Sequence, residues 1–89
     1  MANFDPKKEA ANLKKHGVSL SEGDGVLSDP LALTIEDDSA KEEQRFVTIG
    51  MNIFGTLMVV VHTPRDDESR IISVRKADSK ERKNYEKGV

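Results

Sequence analysis

The chain has 89 residues, 36% of them hydrophobic, 34% charged and 4% aromatic, with a formal net charge of −2. One small core is all this length holds, so a single domain over residues 1–89 is expected, and the longest apolar run, Leu57 to Val61, is far short of the roughly 20 residues that cross a bilayer. The absence of cysteine excludes disulfides, thiol nucleophiles and Cys-based zinc or iron–sulfur sites, and His16 and His62 are too few for a histidine-rich metal site, so neither metal nor cofactor is expected.

Met1 to Lys8 is too polar for a signal peptide, which points to a cytoplasmic protein with no membrane partner. Asp5 then offers an N-cap and Pro6 suits a first helical position. Ala10, Ala11 and Leu13 supply a short apolar stripe and Gly17 a stop, which predicts a helix over 6–16. Ser19-Leu20-Ser21-Glu22 has capping-box spacing for a second short helix, from about residue 20 to 27, although Gly23 and Gly25 weaken it. Ser28-Asp29-Pro30 reads as a turn.

From residue 31 the apolar period becomes two. Leu31, Leu33 and Ile35 form one alternating run, and Val47, Ile49 and Met51 form another. The acidic stretch Glu36 to Gln44 between them reads as a solvated loop. Asn52 to Gly55 is a turn, and Thr56 to Thr63, apolar on both faces, is a central strand. A polar turn over Pro64 to Glu68 leads to a fourth strand from Arg70 to Lys76. Asp78 with Glu81 then caps a terminal helix running to about Lys87, with Gly88 as its stop. The short connections favour an antiparallel meander. The expected fold is α+β, with two N-terminal helices, a four-stranded antiparallel sheet and a C-terminal helix, and the helices covering one face of the sheet.

Charge is unevenly spread. Residues 1–16 carry +2, residues 17–69 carry −8 and residues 70–89 carry +4, so a basic face forms if the two ends meet. The blander reading is two solvated helices. Strict alternation in the fourth strand sends Arg70, Ile72, Val74 and Lys76 one way and Ile71, Ser73 and Arg75 the other. An arginine among core residues either pairs with a carboxylate, such as Asp66, Asp67 or Glu68, or awaits an anion. On the terminal helix Glu81, Arg82 and Tyr85 can share one face. Guanidinium, phenol and carboxylate together suit phosphate binding, base stacking and proton movement, the kit of a metal-independent ribonuclease. Packing of Tyr85 on the sheet and simple capping by Glu81 is the structural alternative. His62, with Met58 and Val60 on its face, is most simply a satisfied core residue and otherwise a base.

Several strings carry a family resemblance. They are Phe4-Asp5-Pro6-Lys7-Lys8, Asn12-Leu13-Lys14-Lys15-His16-Gly17-Val18-Ser19, Asp29-Pro30-Leu31-Ala32, Glu43 to Gly50, Val60-Val61-His62-Thr63, and Arg70 to Ala77 with Glu81, Arg82 and Tyr85. In this order they resemble the BrnT family of bacterial toxins over nearly the whole chain. The Lys-His-Gly-Val-Ser and Arg-Ile-Ile-Ser-x-Arg-Lys-Ala strings are the most specific. The resemblance implies a RelE-like fold and a type II toxin that cleaves RNA without a metal and halts translation. It also implies neutralisation by a BrnA-like ribbon-helix-helix antitoxin, with operator DNA reached only through that antitoxin and a heterotetrameric complex. By analogy with the RelE pattern, Arg75 and Tyr85 are the foremost site residues, with Arg70, Lys76, Arg82, Glu81 and His62 behind them. Glu22-Gly23-Asp24-Gly25 departs from the Ala-rich second helix usual in the family. A non-catalytic module that binds the antitoxin and tunes operator binding is the alternative function.

Overall fold

A computed structural model describes residues 5–37, 43–65 and 68–87. Helix α1 spans Pro6–His16, and both of its ends are set locally. The Asp5 carboxylate accepts the Lys7 N–H at 2.8 Å, and Gly17 closes the helix with φ 69°, a left-handed conformation that favours glycine. The expected apolar stripe is corrected: Ala10 and Ala11 are exposed and Leu13 is 52% exposed, whereas the buried residue of α1 is Asn12. The reason lies in what α1 covers. It lies along β4 (Glu68–Lys76), an edge strand whose backbone groups at Val74 have no neighbouring strand on that side. Asn12 Nδ2 donates to the Val74 carbonyl at 2.9 Å and to the Val18 carbonyl at 2.8 Å, and Asn12 Oδ1 accepts the Val74 N–H at 3.1 Å. A polar side chain satisfies these buried groups where an apolar one would leave them bare.

The second helical stretch is irregular, as its departure from the family pattern suggested. A 3₁₀ turn over Leu20–Glu22 leads into a five-residue α2, Gly23–Leu27. Ser19 caps it, but the reciprocal carboxylate is not Glu22. Glu9 from α1 accepts the Ser19 hydroxyl at 2.9 Å and the Leu20 N–H at 2.8 Å, while Glu22 turns to the Asn52 side chain. Gly23 serves packing: a Cβ there would come within 2.8 Å of Ile71 Cδ1.

The sheet is a meander in the order β1 (Leu33–Glu36), β2 (Phe46–Met51), β3 (Leu57–Arg65), β4, all antiparallel. β1 begins two residues later than its hydropathy suggested, because Asp29 accepts the Leu31 N–H at 2.9 Å and holds the turn. β3 and β4 run into the expected Pro64–Glu68 turn, reaching Arg65 and starting at Glu68. A pairing of Arg70 with Asp66, Asp67 or the Glu68 side chain falls outside what the structure describes, as do Gly88 and the middle of the acidic loop.

One irregularity corrects the alternation expected in β4. Val61 opposes Ser73 but His62 opposes Ile71, so Ile72 is an extra residue in a β-bulge. Ile71 and Val74 therefore share a face, and both are fully buried with Val18, Leu20, Val26, Met58 and Val60 beneath the N-terminal helices. The opposite face carries Ile49, Leu57 and Val59, packed against Ala77 and Tyr85. This second cluster corrects the expectation that all helices cover one face. After the Ala77 N–H bonds to the Leu57 carbonyl, the chain turns into α3 (Ser79–Lys87) and lays Tyr85 on the far side of the sheet. The α3 capping box is reciprocal: Glu81 accepts the Asp78 N–H and Asp78 accepts the Glu81 N–H. The helix leaves an open groove beside β1, of about 570 Å³, lined by Leu33, Ile35, Ile49 and Asn84. Ile35 in this groove is 65% exposed, and Leu31, from the same alternating run, is 71% exposed.

Candidate active site on the sheet face

The bulge decides which cations share a surface. Arg75 opposes Val59 and Arg70 opposes Thr63, and Val59, Val61 and Thr63 alternate onto one face of β3. Alternation alone separates Arg70 from Arg75; the extra residue at Ile72 brings both to the α3 side of the sheet. Tyr85 and Glu81 reach that side from the helix.

Each foremost residue there has a carboxylate partner. Arg75 makes a two-pronged pair with Glu81, Nη1 to Oε1 at 2.8 Å and Nη2 to Oε2 at 2.7 Å, and Nη1 also donates to the Lys76 carbonyl at 3.2 Å. The hydrogen bond to Arg75 holds the Glu81 carboxyl below its usual range, and the same bond raises Arg75. Tyr85 donates its hydroxyl to Asp29 Oδ2 at 2.6 Å, which keeps the phenol protonated by raising its pKa. Asp29 is held ionised by the Met51 N–H, at 2.8 Å, and then by Tyr85. This side therefore presents an ionised Glu81, a neutral phenol and the fixed guanidinium of Arg75. Such an arrangement can hold a phosphate and hydrogen-bond the oxygens around it.

The remaining candidates are placed differently. His62 is on the face covered by the N-terminal helices, 8% exposed, with Nε2 2.8 Å from the Thr48 hydroxyl and its ring stacked on Phe46 at 5.9 Å. Burial lowers its pKa, so it is neutral at pH 7. Lys76, opposite Met58, points to the same face as His62 and is exposed. Arg82 is exposed on α3. The structure thus gathers Arg70, Arg75, Glu81 and Tyr85 on one side and keeps His62 and Lys76 apart from them. Sequence reading gave no site role to Asp29, read as a turn residue, or to Arg45; both appeared only within the strings that carry the family resemblance. Asp29 sits 56 positions from Tyr85, so no local signal pairs them.

The basic ends of the chain meet at backbone level, because α1 lies against β4, but Lys8 and Lys15 line a surface with Ile72 and Ser73 while Arg70 and Arg75 face the α3 side. No cluster of His, Cys, Asp or Glu able to hold a metal ion occurs among the described residues, and none of their helices is long and apolar enough to cross a membrane.

Fold and site together define a small α+β protein with a cation-bearing sheet face. Residues 4–81 match the family described as the ribonuclease toxin, BrnT, of type II toxin-antitoxin systems, and the chain belongs to that family. Among solved structures it is similar to the Brucella abortus ribonuclease toxin BrnT, with a TM-score of 0.68 and 25% identity over 89% of this chain and 99% of that one. No curated protein matches the chain significantly.

Proposed function

We propose that this chain is a metal-independent endoribonuclease that arrests translation in the cytoplasm, and that a BrnA-like ribbon-helix-helix antitoxin neutralises it in a heterotetramer. The observation that carries this reading is the bulge at Ile72, which sets Arg70 and Arg75 on the same side as Glu81 and Tyr85. In this reading Arg75 holds the scissile phosphate, with Arg70 and Arg82 as further cations along the RNA, and the neighbouring ribose 2′-OH attacks phosphorus. The bond to the 5′-oxygen breaks, the 2′ proton leaves to an acceptor, and the 5′-oxygen takes up a proton. Tyr85 is suited to donate and Glu81 to accept. Catalysis is then positioning and charge stabilisation. A fold of the RelE type accords with a four-stranded antiparallel sheet that carries Arg70 and Arg75 on one face.

Expression without the antitoxin tests the reading. Growth arrest, and its loss in folded Arg75→Ala and Tyr85→Phe, is expected; arrest undiminished in both variants contradicts those roles. A second reading is favoured by the partners Arg75 and Tyr85 already have. If Glu81 and Asp29 use them only to clamp α3, the chain is a non-catalytic module that binds antitoxin and tunes operator binding. Purified protein that leaves RNA intact in the presence of ribosomes, yet binds antitoxin, selects that reading.

A further inference from the structure

Two buried side-chain nitrogens among the described residues have no hydrogen-bond partner, Nε of Arg45 and Nε of Arg70. They belong to one row of the sheet. Arg70 opposes Thr63 directly. On the other side of Thr63, its hydroxyl donates to the Gln44 carbonyl at 2.6 Å, and Phe46 opposes His62, which brings Arg45 level with Thr63. The Arg45 carbonyl accepts the Asp37 N–H at 2.8 Å and so continues the ladder. Phe46 stacks on His62 on the face covered by the N-terminal helices, so alternation turns Arg45 to the other side, with Arg70 and Arg75.

The contrast with Arg75 is chemical. Arg75 has a two-pronged carboxylate; Arg45 and Arg70 each keep a buried N–H with nothing to receive it. A buried, unpaired Nε–H on a part-exposed guanidinium calls for an anion with several acceptor oxygens. Their backbones stand two strand spacings apart, roughly 10 Å, a span that two arginine arms can close over Thr63. Arg70 lies roughly 13 Å along the strand from Arg75, far enough for a separate phosphate of the same strand. We propose that Arg45 and Arg70 form a phosphate-binding row over Thr63 that grips single-stranded RNA beside the Arg75 site. The proposal rests on the ribonuclease reading and adds Arg45 as a substrate-binding residue.

The test uses the full chain and a single-stranded 2′-O-methyl RNA oligonucleotide, which lacks the attacking hydroxyl and reports binding without cleavage. Arg45→Gln and Arg70→Gln should each weaken binding about tenfold at low salt. Each should also reduce the slope of log affinity against log salt by about 0.7, the share of one phosphate contact on a single strand. Arg45→Lys keeps the charge and should keep the slope. A purely structural Arg45 would change the melting temperature and leave the slope alone, which overturns the proposal. Should the Gln variants not fold, phenylglyoxal modification of the wild-type chain decides. Protection of Arg45 and Arg70 by the oligonucleotide supports the row, and their unchanged modification overturns it. Wild type that binds and cleaves RNA while Arg45→Gln matches it overturns the row alone. Wild type that neither binds nor cleaves overturns the ribonuclease reading and the row with it.

Discussion

His62 shows how burial sets a residue's chemistry. Removed from water on the face covered by the N-terminal helices, it stays neutral, and its pKa falls below the usual 6.5. As pH drops below 6.5 the unfolded chain takes up a proton that the folded chain refuses, so stability is lost progressively toward the lower folded pKa. Denaturant titrations at pH 7.5 and 5.5 should show a smaller loss in His62→Gln than in wild type; equal losses would contradict the burial account. Asp29 and Glu81 act further down the scale. Both are held below their ordinary values of 3.8 and 4.5, so their contributions persist above those values and disappear as pH falls through the folded ones. Acid melting curves of Asp29→Asn should lack the corresponding part of the drop. Glu81 is legible as a cap from Asp78 three positions earlier, but its grip on Arg75 depends on how α3 leaves the sheet.

At the level of elements, local chemistry was readable and contact chemistry was not. Asp5, Pro6 and Gly17 mark both ends of α1 because each acts on its own neighbours. The burial of Asn12 depends on β4, 62 positions away, and is invisible to periodicity. Asn12→Ala strips three hydrogen bonds from buried backbone and should destabilise the chain by about 3 kcal/mol. That predicts a fall in Tm of roughly 15 °C for a domain of this size. Gly23→Ala should cost about 1–3 kcal/mol through overpacking against Ile71, although alanine is the better helix former. A gain in Tm would show that α2 is not seated as described. The bulge escaped sequence reading because Ile71 and Ile72 are both apolar, and either could have faced the core. That ambiguity decided the side on which Arg70 falls.

For the whole molecule, the net charge of −2 conceals the two arginines, Arg70 and Arg75, that β4 presents on the α3 side of the sheet. The α+β meander and its order were legible; the placement of α3 on the far face was not, because a mean hydropathy of −0.57 gives few apolar side chains to declare where each helix rests. The proposed function puts RNA cleavage on the side of the sheet that carries Arg70 and Arg75. The most direct measurement is single-turnover cleavage of RNA by antitoxin-free protein, comparing wild type, Arg70→Gln, Arg75→Gln and the opposite-face variant His62→Gln, each shown to be folded. Loss of roughly hundredfold or more in the two arginine variants, with cleavage retained in His62→Gln, is the predicted result. Cleavage at the wild-type rate in both arginine variants, or its loss in folded His62→Gln alone, would contradict the account.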